Sequence, residues 1–191
     1  QLVQSDLAAI INGREEEEED APAGWAILFT SGTTSGLKKG VVRTETATLA
    51  GARMHAELLG MHPQREVFAP AWPLHGISSF FFAWTVLAWG GTVVLGLGAE
   101  PDLDAYARER VSFLTGSPAF LSRAADEVAA SGTRVPSLTR VLVSGARCPV
   151  ALKRTIRTRL GVPLHEAYGS TETGLLSWLA DAEWFGAPDE D

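Results

Sequence analysis

The chain has 191 residues, of which 46% are apolar and 20% are charged, and its formal net charge is −7. This length and composition are typical of one globular domain, and the acidic balance argues against a basic surface for nucleic acid. No run of about 18 apolar residues is uninterrupted, so we expect no membrane span. The single cysteine, Cys148, excludes an internal disulfide and a cysteine-cluster metal site. This cysteine usage is typical of a cytoplasmic protein.

The first 23 residues differ in composition from the rest of the chain. The chain opens with Gln1 rather than Met, and we therefore expect it to be a piece of a longer protein. Residues 15–20 are six consecutive acids, whose mutual repulsion favours a solvated linker. We predict an N-terminal segment with an acidic linker over residues 1–23 and a folded domain over residues 24–191.

From Trp25 onward, short apolar or β-branched runs alternate with longer segments of helical period. We predict strands over residues 25–30, 40–43, 66–69, 92–95, 112–115, 140–144, 163–168 and 175–179. We predict helices over residues 44–60, 77–89, 102–110, 117–131 and 149–160, with start signals at Asp102, Ser117 and Pro149. This alternation predicts an α/β fold, a layered and mostly parallel sheet flanked by helices, in which ligands gather at the carboxyl ends of the strands.

A loop rich in glycine and hydroxyl side chains follows the first predicted strand. Residues 29–41 read FTSGTTSGLKKGV. Small residues let the backbone wrap around phosphate oxygens, while hydroxyls, amides and a lysine bind them. The spacing is not that of a P-loop, because three residues separate Gly32 from Gly36 and neither lysine is followed by Ser or Thr. We interpret the segment as a phosphate-binding loop, although composition alone also fits a flexible turn.

A second informative segment, residues 165–174, reads HEAYGSTETG at the end of a predicted strand. The Tyr168 ring can stack on a nucleobase, and the Thr171 hydroxyl can contact a phosphate. The Glu172 carboxylate can hold Mg²⁺ against that phosphate. By themselves, Thr171 and Glu172 are equally well explained as a helix cap and its first turn.

Taken together, the two segments resemble the signatures of the adenylate-forming superfamily, which includes acyl-CoA and aryl-CoA synthetases, luciferase and peptide-synthetase adenylation domains. Residues 90–95 and 141–146 fall between them in the order found in that family. The resemblance covers residues 25 to about 179. It implies one subdomain from the N-terminal domain of an acyl-CoA ligase.

The resemblance also implies roles for individual residues. The phosphates of ATP would be held by Thr30, Ser31, Gly32, Thr33, Thr34, Gly36 and Lys39. The adenine and the α-phosphate would be bound by Gly145, Ala146, Tyr168, Gly169 and Thr171, and Mg²⁺ would be bound by Glu172. Lys39, Thr171 and Glu172 would take part in catalysis.

The implied reaction activates a carboxylic acid with ATP to an acyl-adenylate and then forms a thioester with coenzyme A. The resemblance places Trp72, His75 and Gly169 at the acyl pocket, although a packed or solvated His75 is an equal alternative. The family's amino-acid activators usually have an Asp in this region and a Pro where this chain has Ser170. A simple carboxylic acid is therefore favoured as the substrate.

Two departures from the family pattern bear on activity. The phosphate loop contains one additional residue, Ser35, and Lys38 stands where the family usually has Pro. Nothing after Glu172 resembles the family's C-terminal domain with its catalytic lysine, so we expect little turnover from these residues alone. Two alternatives stay open: an adenylation enzyme that loads a carrier-protein thiol, and a truncated module that binds a nucleotide or acyl ligand without catalysis.

The remaining reactive side chains give weaker signals. Cys148 directly precedes a predicted helix, where a thiolate is favoured electrostatically, but nothing else in the sequence indicates that it is a nucleophile. His55, His62 and His165 lack the spacing of metal ligands.

Overall fold

The computed structural model describes residues 24–30, 39–97 and 99–185. Its strands are β1 (Gly24–Phe29), β2 (Gly40–Thr44), β3 (Val67–Pro70), β4 (Thr92–Val93), β5 (Phe113–Gly116), β6 (Arg140–Val143), β7 (Leu164–Ser170) and β8 (Gly174–Leu179). Its helices are α1 (Glu45–Leu58), α2 (Ile77–Ala88), α3 (Leu103–Arg108), α4 (Pro118–Ser131), α5 (Val150–Leu160) and α6 (Asp181–Trp184). Every predicted helix and strand is present, and α6 has no counterpart among the predictions.

A six-stranded sheet in the order β4-β3-β5-β6-β7-β8 forms the centre of the fold. The first five strands in that order are parallel, and β8 pairs antiparallel with β7 at the edge. Strands β1 and β2 form a separate antiparallel pair. The predicted layered, mostly parallel sheet is therefore confirmed.

The lengths of the connections explain where the parallel pattern ends. A parallel pair needs a crossover of about a dozen residues or more. Only residues 30–39 separate β1 from β2, and only residues 171–173 separate β7 from β8, so both pairs are antiparallel. Each parallel strand from β3 onward is instead preceded by a helix or followed by one.

Local caps fix where the helices begin. The Asp102 carboxylate accepts a hydrogen bond from the Ala105 N–H at 2.8 Å, and the Ser117 hydroxyl accepts one from the Phe120 N–H at 3.2 Å. Both contacts pair a backbone donor that the first helical turn leaves without a partner. Thr44 caps α1 in the same way, whereas Pro149 lies one residue before α5 rather than at its first position.

Alternating strand residues divide the core between the two faces of the sheet. Val141 and Val143 join the cluster beneath α3, α4 and α5, while Leu142 joins the cluster beneath α1 and α2. Helix α2 is apolar and contributes Phe82 and Val86 to that second cluster. Within the described parts of the chain, no helix combines the length and the apolar character needed to cross a bilayer.

Candidate active site

A cavity of about 680 Å³ opens where the parallel strands end. Its walls combine residues that are far apart in sequence: the base of the predicted phosphate loop, the segment after β6, the β7–β8 hairpin and the facing sides of α1 and α2. The lining residues are Thr30, Lys39, His55, Ile77, Ser78, Phe81, Phe82, Ser144, Gly145, Ala146, Arg147, Glu166, Ala167, Tyr168, Gly169, Ser170, Thr171, Glu172, Gly174 and Leu175.

Thr30 and Lys39 form the base of the predicted phosphate loop. The Thr30 N–H donates to the Lys39 carbonyl oxygen at 3.0 Å, and the Lys39 N–H donates to the Thr30 hydroxyl at 3.3 Å. Both residues line the cavity, so both ends of the loop meet it. The other loop residues assigned to phosphate binding lie outside the described residues: Ser31, Gly32, Thr33, Thr34 and Gly36.

The β7–β8 hairpin brings the second predicted segment to the same cavity. In its turn, the Ser170 N–H donates to the Thr173 hydroxyl at 3.2 Å and the Thr173 N–H donates to the Ser170 hydroxyl at 3.3 Å. Tyr168 is 68% exposed, which leaves its ring available for stacking. Thr171 and Glu172 occupy the turn itself and are not at a helix start, so the alternative explanation of this pair as a helix cap is wrong.

Glu172 is an exposed carboxylate held in its ionised form. Hydrogen bonds from its own backbone N–H and from the Ser170 side chain, followed by the positive charge of Lys39, lower the pKa of Glu172. It forms no salt bridge with any residue that the structure describes. The carboxylate therefore remains available to bind a cation.

Gly169 allows the backbones of β7 and β8 to approach each other closely. A Cβ atom at this position would lie 2.1 Å from the carbonyl oxygen of Gly174. Glycine avoids this steric clash because it has no Cβ. Tyr168 precedes Gly169 and Glu172 lies in the turn that follows. The close approach of the two backbones at Gly169 therefore helps to position both residues.

The segment after β6 also lines the cavity, beside the neighbouring strand β7. Gly145 and Ala146 line the cavity, and their assignment to the adenine stays a prediction. Gly145 has a φ of +82°, which favours glycine. Trp72 packs behind this segment, since a Cβ on Gly145 would lie 3.7 Å from Trp72 Cζ2. Trp72 is half-buried and His75 is exposed, and neither lines the cavity that the described residues form. Their assignment to the acyl pocket stays a prediction.

Glu166 also lines the cavity but carries its own counter-ion. Lys153 Nζ lies 2.6 Å from Glu166 Oε2, and the Lys153 side chain is only 6% exposed. This pairing satisfies both charges at the border of the cavity.

Cys148 is buried beside this pair. Desolvation and the negative charge of Glu166 outweigh the effect of Lys153 and raise the pKa of the Cys148 thiol to about 11. The thiol is therefore protonated at neutral pH, contrary to the electrostatic expectation for a residue before a helix.

Several cavity residues were not predicted from the sequence, and His55 is the most informative of them. It lies on α1 with the buried residues Thr48, Ala52 and Ala56, which recur at the spacing of one helical face. That periodicity is the signal that could have placed His55 inside the fold. Its proximity to the cavity depends on α2 packing against α1, which the sequence pattern does not give.

Comparisons with known proteins extend this picture. The sequence matches the family of AMP-binding enzymes over residues 3–190. It is 29% identical over 170 residues to a long-chain-fatty-acid–CoA ligase of Thermus thermophilus, covering 84% of this chain and 30% of the relative. It is 33% identical over 159 residues to a 4-chlorobenzoate–CoA ligase of a Pseudomonas species, covering 81% of this chain and 30% of the relative.

Solved structures agree with the sequence matches. The O-succinylbenzoate coenzyme A synthetase of Bacillus subtilis, in complex with ATP and a magnesium ion, superimposes with a TM-score of 0.72 at 26% identity, covering 89% of this chain and 36% of that protein. An amide bond synthetase of Marinactinospora thermotolerans gives a TM-score of 0.72 at 33% identity, covering 83% and 32%. The chain spans about 30% of the length of the curated relatives that it matches. Over almost its whole length, this chain belongs to the family of AMP-binding enzymes.

Proposed function

We propose that the protein containing this chain activates a carboxylic acid with ATP and transfers the acyl group to the thiol of coenzyme A. One observation carries the proposal: two segments about 130 residues apart in sequence meet at one cavity, close enough that the charge of Lys39 lowers the pKa of Glu172. Lysine and hydroxyl donors beside an ionised carboxylate are the groups that a magnesium-bound polyphosphate requires.

The residues present fit ATP and Mg²⁺. Tyr168 offers an exposed aromatic face, Gly145 and Ala146 line the same cavity, and Thr171 supplies a hydroxyl. Mg²⁺ is usually bound through one or two carboxylates together with substrate phosphates, so the single carboxylate of Glu172 is a sufficient protein ligand. When bound, the metal would neutralise charge on the phosphate oxygens.

In the proposed reaction, a carboxylate oxygen of the acid attacks the α-phosphorus of ATP. The bond from that phosphorus to the bridging oxygen breaks, and pyrophosphate leaves. Lys39 and Thr171 would hold the phosphate oxygens on which negative charge develops, which is the main means by which an enzyme accelerates such a transfer. The thiol sulfur then attacks the acyl carbon, AMP leaves, and the thiol proton passes to solvent.

Coenzyme A is the proposed acceptor because the relatives above include CoA ligases for fatty and aromatic acids. We also place the reaction in the cytoplasm, which is consistent with Cys148 being a free thiol.

The test is exchange of radiolabelled pyrophosphate into ATP by the full-length protein, across a panel of aliphatic and aromatic acids. We expect exchange with at least one acid, and a decrease of about 10²-fold in the Glu172→Gln and Lys39→Ala variants. Glu57→Gln is the matched control, because this carboxylate is exposed, has Arg53 as its one salt-bridge partner among the described residues and does not line the cavity. Absence of exchange with every acid, or full activity of Glu172→Gln, would refute the proposal. A second assay with coenzyme A then tests the acceptor.

A further inference from the structure

His55 lines the cavity from helix α1. Helix α1 ends at the connection that leads into the amino end of β3, whereas α2 begins just after the carboxyl end of β3. His55 is in the last turn of α1, and its partner Thr85 is in the second half of α2. Both residues are therefore displaced from the Tyr168 end of the cavity toward the amino ends of the strands.

The hydrogen bonds of Thr85 assign the protonation of the His55 ring. The Thr85 hydroxyl donates to the Phe81 carbonyl oxygen at 2.7 Å, which uses its only proton. Its oxygen lies 3.4 Å from His55 Nδ1 and so acts as the acceptor for an Nδ1–H. His55 Nε2 then carries a lone pair, and no residue in the described parts of the chain donates a hydrogen bond to it.

The surroundings of this acceptor are apolar. The ring centroids of Phe81 and Phe82 lie 5.8 Å and 4.9 Å from that of His55, which is only 3% exposed. Burial lowers the pKa of His55 to about 4, so the imidazole is neutral at physiological pH. This part of the cavity wall thus combines two phenylalanine rings with one neutral imidazole acceptor.

We propose that His55 determines substrate specificity, and that the acid activated here carries a hydroxyl or amino donor on its apolar body, remote from its carboxylate. This inference rests on the proposed function, because it assigns the part of the same cavity beside His55 to the acyl group. A neutral donor is favoured over a charged group, since a neutral imidazole gives a buried ion no counter-charge. An acid without the donor leaves Nε2 without a hydrogen bond from the ligand, which a site of this kind discriminates against.

The first experiment compares matched acids with the full-length protein. Benzoic acids carrying a hydroxyl at position 3 or 4 are each paired with the benzoic acid carrying a methyl group at the same position, and kcat/KM is measured by pyrophosphate exchange. We expect at least one hydroxylated acid to exceed its methyl partner by about tenfold or more. If every methyl acid equals or exceeds its hydroxyl partner while exchange itself is robust, the inference is wrong and the proposed function survives. If no acid of the wider aliphatic and aromatic panel supports exchange either, the proposed function fails.

The second experiment assigns the preference to His55. His55→Phe keeps an aromatic ring and removes the acceptor, so the hydroxyl-to-methyl ratio should fall to about one, whereas His55→Gln keeps an acceptor and should retain part of the preference. His62→Phe is the matched control, because His62 is exposed and does not line the cavity. An unchanged ratio in His55→Phe would overturn the assignment. If His55→Phe fails to fold, His55→Gln and the wild-type ratio decide the question, because a purely structural histidine would not change this ratio.

Discussion

Burial of His55 without a counter-charge should make the protein sensitive to mild acid. The folded state holds the pKa of His55 at about 4, compared with 6.5 for an exposed histidine. Between these values the unfolded state binds a proton that the folded state does not, so stability is lost as the pH falls. From pH 7 to pH 5 we expect His55 to account for a loss of about 2 kcal/mol in the free energy of unfolding.

The measurement is urea unfolding of wild type and His55→Gln at both pH values. The variant should lose about 2 kcal/mol less than wild type over this interval. Because burial also lowers the pKa of His165, only the difference between the two proteins isolates His55. His62→Gln serves as the control. Parallel losses in wild type and His55→Gln would mean that the imidazole is hydrated in the folded protein.

At the residue scale, the sequence pointed to Lys39 and Glu172 as candidate site residues but not to His55. Lys39 and Glu172 belong to segments whose composition already indicates phosphate and metal chemistry, and both line the cavity. His55 lies in a helix with no such pattern around it, and the role proposed for it depends on the packing of Thr85 and Phe81 against it. The local sequence of a helix can indicate its buried face, but it does not state which other helix packs against that face.

At the scale of single elements, the β7–β8 hairpin depends on the absence of a side chain at Gly169. In Gly169→Ala, the Cβ would meet the Gly174 carbonyl oxygen at 2.1 Å, and a backbone atom paired within the sheet cannot move aside easily. We expect a loss of about 2 kcal/mol or more in the free energy of unfolding. Exchange activity should fall as well, because Tyr168 and Glu172 are displaced together.

Gly51→Ala provides the opposite case. Gly51 lies within α1, and a Cβ there meets no atom within 4 Å. Alanine restricts the unfolded chain and favours the helix, so this variant should gain about 0.5–1 kcal/mol. Urea unfolding measures both variants. If Gly169→Ala were as stable as wild type, the two hairpin strands would be farther apart than the structure places them.

The elements themselves were predictable where local signals coincide with tertiary packing. Asp102 and Ser117 combine a capping side chain with a following amphipathic segment, and both cap their helices. The orientation of β8 was not predictable from its apolar pattern, because alternation does not state which neighbour a strand pairs with. It follows instead from the three-residue turn, which is too short for a parallel crossover.

At the scale of the whole molecule, a buried ion pair joins α1 to the centre of the sheet. The Glu66 carboxylate, beside β3, accepts hydrogen bonds from Arg140 Nη2 on β6 and, at 2.8 Å, from the Ser112 hydroxyl before β5. Arg140 Nη1 also donates to the Leu59 carbonyl oxygen at the end of α1, at 2.9 Å. The side chains of Glu66 and Arg140 are only 3% and 8% exposed. One charged pair thus connects three strands to the helix that carries His55.

Removing one partner should cost far more than the pair contributes, because the remaining charge is left buried. We expect Glu66→Gln or Arg140→Met to lower the free energy of unfolding by about 3–5 kcal/mol. The double variant Glu66→Met/Arg140→Met should lose clearly less than the sum of Glu66→Met and Arg140→Met, since it buries no unpaired charge. The exposed pair of Arg53 and Glu57 is the matched control, and Glu57→Gln should cost less than about 1 kcal/mol. Urea unfolding of each variant measures these free energies. Strictly additive losses at Glu66 and Arg140 would show that the two side chains are solvated independently and do not act as one pair.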